Sequence, residues 1–351
     1  MINLNFRQQL IFDFIRKNQN AQNKDIKEYL AKNKINISRF SITRDLDFLL
    51  EKKIIQKNGQ GRNTFYSENL TNNLLGYFNV EEYFKKESDD REIKYKNFNF
   101  NVFKNLKNLF TSEEINNFKN INKKYQDQLK TLSPTIIQKE IERLIIELSW
   151  KSSQIEGNTY SLIDTEILLK NNQEASGHKK EEAIMLLNHK NALNYAFSNK
   201  EEFKKLNFKN IENIHSLIVN DLNIKKGLRK NLVGIIGTNY RPIDNQHQII
   251  EALEKMINCV NESDFPLEKA LIINLMIAYI QPFEDGNKRT SRILSNAILI
   301  TNNYCPLSFR SIDEKEYKKA IILFYEQNNA SYFKELFLEQ FEFGVNHYFQ
   351  K

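Results

Sequence analysis

Gln281-Pro282-Phe283-Glu284-Asp285-Gly286-Asn287-Lys288-Arg289-Thr290-Ser291-Arg292 is the most informative stretch of this 351-residue chain. It follows an apolar run, Ala270 to Ile280, and precedes a stripe of Ile293, Leu294, Ala297 and Ile298 at i, i+1, i+4, i+5 spacing. The pattern predicts a buried helix, a loop, and a second helix opening from that loop. Pro282 ends the first helix, and Gly286 lets the backbone turn and approach a ligand closely. N–H groups from Gly286 to Arg289 then point out of a helix N-terminus, where the dipole favours an anion. Lys288 and Arg289 add positive charge beside them. Asp285 supplies a hard oxygen suited to Mg2+, an ion that also bridges phosphates. These residue types in this order point to the phosphates of a nucleotide.

The rest of the composition narrows the setting. Apolar residues make up 40% and charged residues 27%, which excludes a disordered chain. Only 10 glycines and 5 prolines are present, so a mainly helical fold is expected over a turn-rich all-β one. The run Ala270 to Ile280 is interrupted by Asn274 and falls far short of the roughly 20 residues that span a bilayer. Met1, Ile2, Asn3 and Leu4 do not begin a basic-then-apolar leader. Cys259 and Cys305 match neither a metal-ligand spacing nor a disulfide framework, as expected in a reducing compartment. The expectation is a soluble, cytoplasmic protein with no membrane partner.

Charge is concentrated at one end. Residues 1–70 hold 13 Lys/Arg against 7 Asp/Glu, which accounts for nearly all of the net +7. Such asymmetry points to an anionic partner, most often nucleic acid. Leu10, Ile11, Phe14 and Ile15 recur at helical spacing, as do Ile26, Tyr29 and Leu30. Ser38 suits the N-cap of a third helix with Ile42, Leu46, Leu49 and Leu50 on its buried side and Arg39, Thr43 and Arg44 toward the other. Two strands, around Ile54 to Gln56 and Asn63 to Tyr66, are joined by Asn58-Gly59-Gln60-Gly61. Three helices and a basic hairpin carrying Lys57 and Arg62 resemble a winged helix-turn-helix, whose third helix can enter the major groove while the wing touches phosphate. Winged helices also dock proteins, so DNA is one of two expected partners for residues 1–70.

Residues 71–111 read as a connector with some packed aromatics. Helical spacing resumes at Ser112, and Pro134 suits the first turn of a helix running through Ile141, Leu144, Ile145, Leu148 and Trp150 into Ser152.

The twelve-residue stretch resembles the Fic-domain signature, His-Pro-Phe-x-Asp/Glu-Gly-Asn-Gly/Lys-Arg-x-x-Arg, and meets every fixed position except the first. Fic domains are α-helical and mostly transfer AMP from ATP to a hydroxyl of a target protein. Within residues 112–160, Ser152-Ser153-Gln154-Ile155-Glu156-Gly157 matches the family's inhibitory motif, Ser/Thr-x-x-x-Glu-Gly/Asn, here ahead of a Fic core placed at 161–351. The resemblance, which covers about residues 112 to 340, implies that Glu156 pairs with Arg292 and withholds it from the γ-phosphate of ATP. It assigns Asp285 to Mg2+, and Gly286, Asn287, Lys288, Arg289, Thr290, Ser291 and Arg292 to the nucleotide. Tyr317 and Lys318 match positions that line the adenine pocket, with Tyr325 opposing. Leu232 to Pro242 resembles the family's flap, a short hairpin in which Gly237, Thr238, Asn239 and Tyr240 would present the target as an added strand.

One departure matters for chemistry. The family's general base is the histidine at the first position, and here it is Gln281. A carboxamide cannot take a proton near neutral pH. His178, His189, His215, His247 and His347 lie outside the motif, and none has a spacing that makes it a substitute. The expectation is an adenylyltransferase architecture, autoinhibited by Glu156 and inactive as written, whether as a natural pseudoenzyme or an engineered form. An altered chemistry, in which Gln281 orients a hydroxyl, is the third explanation. Asn287, Arg289 and Arg292 remain as the other catalytic candidates. Two rival functions stay open: a nucleotide-sensing, DNA-binding regulator and a Doc-like kinase, the latter because Lys288 is the kinase-type residue. The acceptor would be a hydroxyl of a target protein or of the chain itself, and a homodimer is left open.

Overall fold

The computed structural model describes residues 4–18, 20–70 and 72–350. The chain divides into two compact units, Met1–Glu82 and Tyr83–Lys351.

The first unit consists of α1 (Phe6–Lys17), α2 (Asn23–Lys32), α3 (Arg39–Glu51) and a hairpin of β1 (Ile55–Asn58) and β2 (Phe65–Glu68). The strands pair antiparallel, with Ile55 opposite Glu68 and Asn58 opposite Phe65. They lie slightly later than the apolar pattern suggests, because a short 3-10 turn, Gly61–Asn63, takes up the tip. The Ser38 hydroxyl caps α3 by accepting from the Ser41 N–H at 3.2 Å. Ile11, Phe12, Ile15, Ile26, Leu30, Ile42, Leu46 and Leu49 form one closed core. The Arg7 guanidinium forks onto the buried Asp45 carboxylate, tying α1 to α3 with charge-assisted bonds.

The second unit is helical. A single turn, α4 (Val80–Tyr83), straddles the boundary and leads into a strap that reaches Thr111 and includes a 3-10 helix, Phe100–Asn105. The sequence reads this stretch as a connector, yet the structure packs it into the unit. Phe98 stacks on Tyr279 at 4.6 Å, the Asn99 N–H donates to the Tyr279 hydroxyl, and Val102, Leu106 and Leu109 are buried. Scattered aromatics with no period give no element to predict, but they still find a core.

Helices follow as α5 (Ser112–Thr131), α6 (Pro134–Ile155), α7 (Leu162–Asn171), α8 (Lys180–Ser198), α9 (Phe208–Ile218), α10 (Gln246–Glu262), α11 (Pro266–Ile280), α12 (Asn287–Thr301), α13 (Glu314–Gln327) and α14 (Ser331–His347). Ser133 caps α6 with Pro134 in its first turn, where the missing N–H is no loss. α11 is apolar on all faces and buried on all of them, so it is the central helix. It packs on α10, α12 and α13, while α12 also meets α6, α8 and α9. The loop 281–286 between α11 and α12 is thereby surrounded.

The hairpin expected over Leu232 to Pro242 does not form. This segment has no ladder of its own and turns at Gly237, where φ is +84°. Its backbone meets the strap instead, through a parallel bridge between Asn97 and Arg241. The Tyr240 side chain is drawn inward, and its hydroxyl donates to the Tyr279 carbonyl at 2.8 Å. Among the described residues, no helix is long and apolar enough to cross a membrane.

Candidate active site

The α11–α12 loop is held from inside. Gln281 ends α11 in the left-handed conformation, φ +52°. Its side-chain N–H donates to the Ala278 carbonyl at 2.6 Å, and its carbonyl oxygen accepts from Asn287 Nδ2 at 2.9 Å. Asn287 also bonds both backbone groups of Phe283 at 2.9 Å, stapling the turn shut. Buried Arg229 braces the outer side, donating to the carbonyls of Gln281, Asn231 and Ile243. Gly286 takes φ +80°, and a Cβ there would lie 3.1 Å from Val219 and 3.4 Å from Ile218. Only glycine fits that position without strain.

Glu156 is set by the end of α6. The Gly157 N–H donates to the Gln154 carbonyl, and the Asn158 N–H to the Ser153 carbonyl, with Gly157 at φ +98°. This is a Schellman motif, so the Glu-Gly pair is a helix terminator that places Glu156 as the C-cap. One carboxylate oxygen accepts from Arg292 Nη2 at 2.8 Å, and the other lies 3.2 Å from Lys288 Nζ. Burial opposes the charge on Glu156. Arg292 and Lys288 outweigh it and hold the carboxyl at about 2, below the ordinary 4.5.

The rest of the Arg292 guanidinium is also committed. Nε donates to the Ser152 hydroxyl, Nη2 to the Ser152 carbonyl, and Nη1 to the Tyr317 hydroxyl. Behind Ser152 stands His189. The Met185 carbonyl can only accept, so Nδ1 carries the proton and Nε2 accepts from the Ser152 hydroxyl at 2.9 Å. Burial pushes His189 down to about 3, so it stays neutral and turns the Ser152 lone pair toward Arg292.

A cavity of about 430 Å3 opens above this loop. Its floor is Gln281 and Glu284 to Arg289, one wall is Glu156 and Gly157, and another is Val233 to Ile236. Tyr317, Lys318, Ile321, Ile322 and Tyr325 of α13 close it. Two buried polar atoms of the lining residues, Arg289 Nη1 and the Tyr325 hydroxyl, have no partner among the described residues. Buried donors left open beside a helix N-terminus fit an anionic ligand. Asp285 pairs with Arg289 at 3.2 Å and keeps most of its carboxylate in solvent. No cluster of three metal-ligating side chains occurs among the described residues. A lone exposed carboxylate fits Mg2+, which takes one or two carboxylates and completes its shell with water and substrate phosphate.

Not every residue singled out in the sequence reaches the cavity. Thr290 and Ser291 are buried below it, Ser291 donating to the Lys288 carbonyl and Asn274. Arg292 lies beneath Glu156, and Gly237 to Tyr240 fall outside the lining. Thr238 and Asn239 are turned to Glu326 and Asp89, so with Tyr240 they anchor the loop rather than offer it. Sequence reasoning passed over Arg229, Ser153, His189 and His215 as site residues. His215 stacks flat on Phe283 at 3.6 Å and donates from Nε2 to the Asp285 carbonyl. Burial pushes it down to about 4, and its other nitrogen faces the interior, so it is no replacement base. A lone histidine on an amphipathic helix carries no signal for such a role.

On the first unit, Arg39, Thr43 and Arg44 project from α3 into solvent, and Lys57 is exposed on β1. The Arg62 side chain lies outside the described residues.

Residues 205–299 match the model of the Fic/DOC family, so the chain carries a Fic/DOC domain. The chain is 26% identical over 190 residues to the Protein adenylyltransferase Fic of Nematostella vectensis, a match covering 52% of this chain and 43% of that one. With its counterpart from Aedes aegypti the identity is 27%, over 55% of this chain and 40% of the relative. The chain thus spans about two fifths of the length of these relatives. In fold it is similar to a Fic domain containing signaling protein from Bacteroides thetaiotaomicron, with a TM-score of 0.57 and 20% identity, covering 66% of this chain and 94% of that structure.

Proposed function

We propose that the second unit is a Fic-type protein adenylyltransferase scaffold, held off by Glu156 and lacking its general base. The observation that carries this reading is the single Glu156 carboxylate clamped between Arg292 and Lys288 in the lining of the cavity. A nucleotide with Mg2+ would lie over the α12 N-terminus, with Asp285 toward the ion and Lys288 and Arg289 toward the phosphates. The metal, when bound, spreads phosphate charge. Tyr317, Lys318 and Tyr325 would flank the base. Arg292 would reach the γ-phosphate once Glu156 lets go. Gln281 fixes the loop through Ala278 and Asn287 but takes no proton from an acceptor hydroxyl. Arg292 together with Glu156 supports AMP transfer over Doc-like phosphate transfer, against the kinase-type Lys288.

A second reading is favoured by Gln281 together with the exposed basic face of α3: a nucleotide sensor joined to a winged-helix DNA-binding unit. Labelled AMP transfer from α-labelled ATP decides between them, using the unaltered chain, Gln281→His, and Gln281→His with Glu156→Gly, each alone and with cell lysate. Label that appears with the histidine and rises in the double variant supports the transferase. No label in any of the three, with ATP still bound, removes it in favour of the sensor.

A further inference from the structure

Val233 to Ile236 of the loop 232–240 form one wall of the cavity, yet the loop makes no strand pairs of its own. A glycine-containing surface loop in that state is ordinarily mobile. Here it is tied down from the strap. Arg91 donates from Nε and Nη2 to the two oxygens of Glu326 at 3.0 and 2.9 Å, and the same Nη2 reaches the Gly237 carbonyl. The Thr238 hydroxyl donates to Glu326 at 2.6 Å, and Tyr83 donates to it at 2.7 Å. Asn239 donates to Asp89, and the Arg241 N–H donates to the Lys96 carbonyl. Lys94 and Tyr95 in turn donate their N–H groups to the Glu326 carbonyl, clasping the end of α13.

Arg91 and Glu326 are almost wholly buried, with side chains 6% and 0% exposed. A buried ion pair is a poor source of stability, because desolvation offsets attraction, but it fixes geometry strongly. Glu326 directly follows Tyr325, so the helix turn that supplies the cavity with its phenol also receives the loop. We propose that Arg91, acting through Glu326, is a positioning residue that anchors the loop at Gly237 and Thr238 and so holds the Val233 to Ile236 wall in place beside the cavity. The strap is then part of the site, and the wall is preset before any acceptor arrives. This rests on the transferase reading for its purpose, but its geometry can be tested without it.

The test is hydrogen exchange on the full chain, with ATP·Mg2+ affinity measured alongside. Arg91→Ala is expected to speed exchange within 232–241 by about tenfold or more, the scale of losing a charge-assisted hydrogen bond. Exchange in α11 and α12 stays as in the parent, while ATP·Mg2+ affinity falls, because the loosened segment includes Val233 to Ile236 of the cavity lining. Arg91→Lys keeps the charge and loses the fork, so it gives an intermediate rate and serves where the alanine variant fails to fold. Glu326→Gln, which keeps the shape, loosens the same peptides. Unchanged exchange in the loop, or an equal rise throughout the unit, overturns the proposal. Absence of AMP transfer in the Gln281→His, Glu156→Gly chain with a loop that still loosens on Arg91→Ala overturns the transferase reading alone.

Discussion

Glu156 lies 2.8 Å from Arg292 and 3.2 Å from Lys288, so one carboxylate joins two cations that belong to different positions of the α12 N-terminus. Arg292 is fully buried and bonded at every nitrogen, to Ser152, Tyr317 and Glu156. A guanidinium so engaged is not available to another anion. The contact is electrostatic, local and reached from a helix end, so single substitutions should tune it.

Its pH dependence has a definite sign. The folded-state pKa of Glu156 is depressed from 4.5 to about 2. The stabilisation is therefore fully present above about 4.5 and is lost as pH falls through 4.5 toward 2. A shift of that size corresponds to about 3 kcal/mol at neutral pH. Denaturant unfolding of the unaltered chain should lose somewhat more than half of this component, about 2 kcal/mol, on going from pH 6 to pH 3. Glu156→Gln should lose it at neither end. Parallel pH curves for the two proteins would sink the assignment.

Lys288 is the weaker arm, since both it and Glu156 retain some solvent contact. Lys288→Ala should move the acid loss of stability toward pH 4.5, because a carboxylate with one cation is easier to protonate than one with two. A double-mutant cycle with Glu156→Gln should return a coupling of about 1 kcal/mol. A coupling indistinguishable from zero would make the pair incidental.

Gly286→Ala tests the loop itself. The alanine must accept φ +80° and a 3.1 Å contact with Val219 at once. Strain of this kind costs roughly 1–3 kcal/mol. Gly177 shares the positive φ, +87°, but has nothing within 4 Å of a Cβ. Gly177→Ala should therefore lower Tm less than Gly286→Ala, which should fall by about 5 °C. Equal shifts would mean that close packing at Gly286 contributes nothing.

Much of the site was legible because it is local in sequence. A continuous apolar run, a Pro and a Gly define the α11–α12 turn, and Glu156 stands out only through the resemblance of Ser152 to Gly157 to the inhibitory motif, since taken alone it reads as a surface carboxylate. Arg229, His189 and His215 were not legible, since each acts across 37 to 70 residues of chain through a backbone carbonyl or a single hydroxyl. The 232–242 segment misled for the opposite reason. Its glycines and β-branched residues satisfy a hairpin pattern, but Tyr240 and Thr238 find better partners in Tyr279 and Glu326. Tertiary partners overrode a local preference, as they do for short strands generally.

The first unit carries the last prediction. Arg39 and Arg44 stand exposed on α3, with Lys57 on the neighbouring hairpin, and the segment's excess of positive charge is spread over few residues. Contacts of this kind to phosphate release counterions, so affinity falls steeply with salt. The full chain should bind a random 20-base-pair duplex at low salt, measured by fluorescence anisotropy. Arg44→Ala should reduce the slope of log affinity against log salt by about 1. Substituting Lys180, an exposed cation on α8 of the second unit, gives the control, since loss of a charge outside the binding unit should leave the slope unchanged. Absence of binding at low salt, or equal slopes for Arg44→Ala and the parent, would move the partner of this unit from DNA to protein.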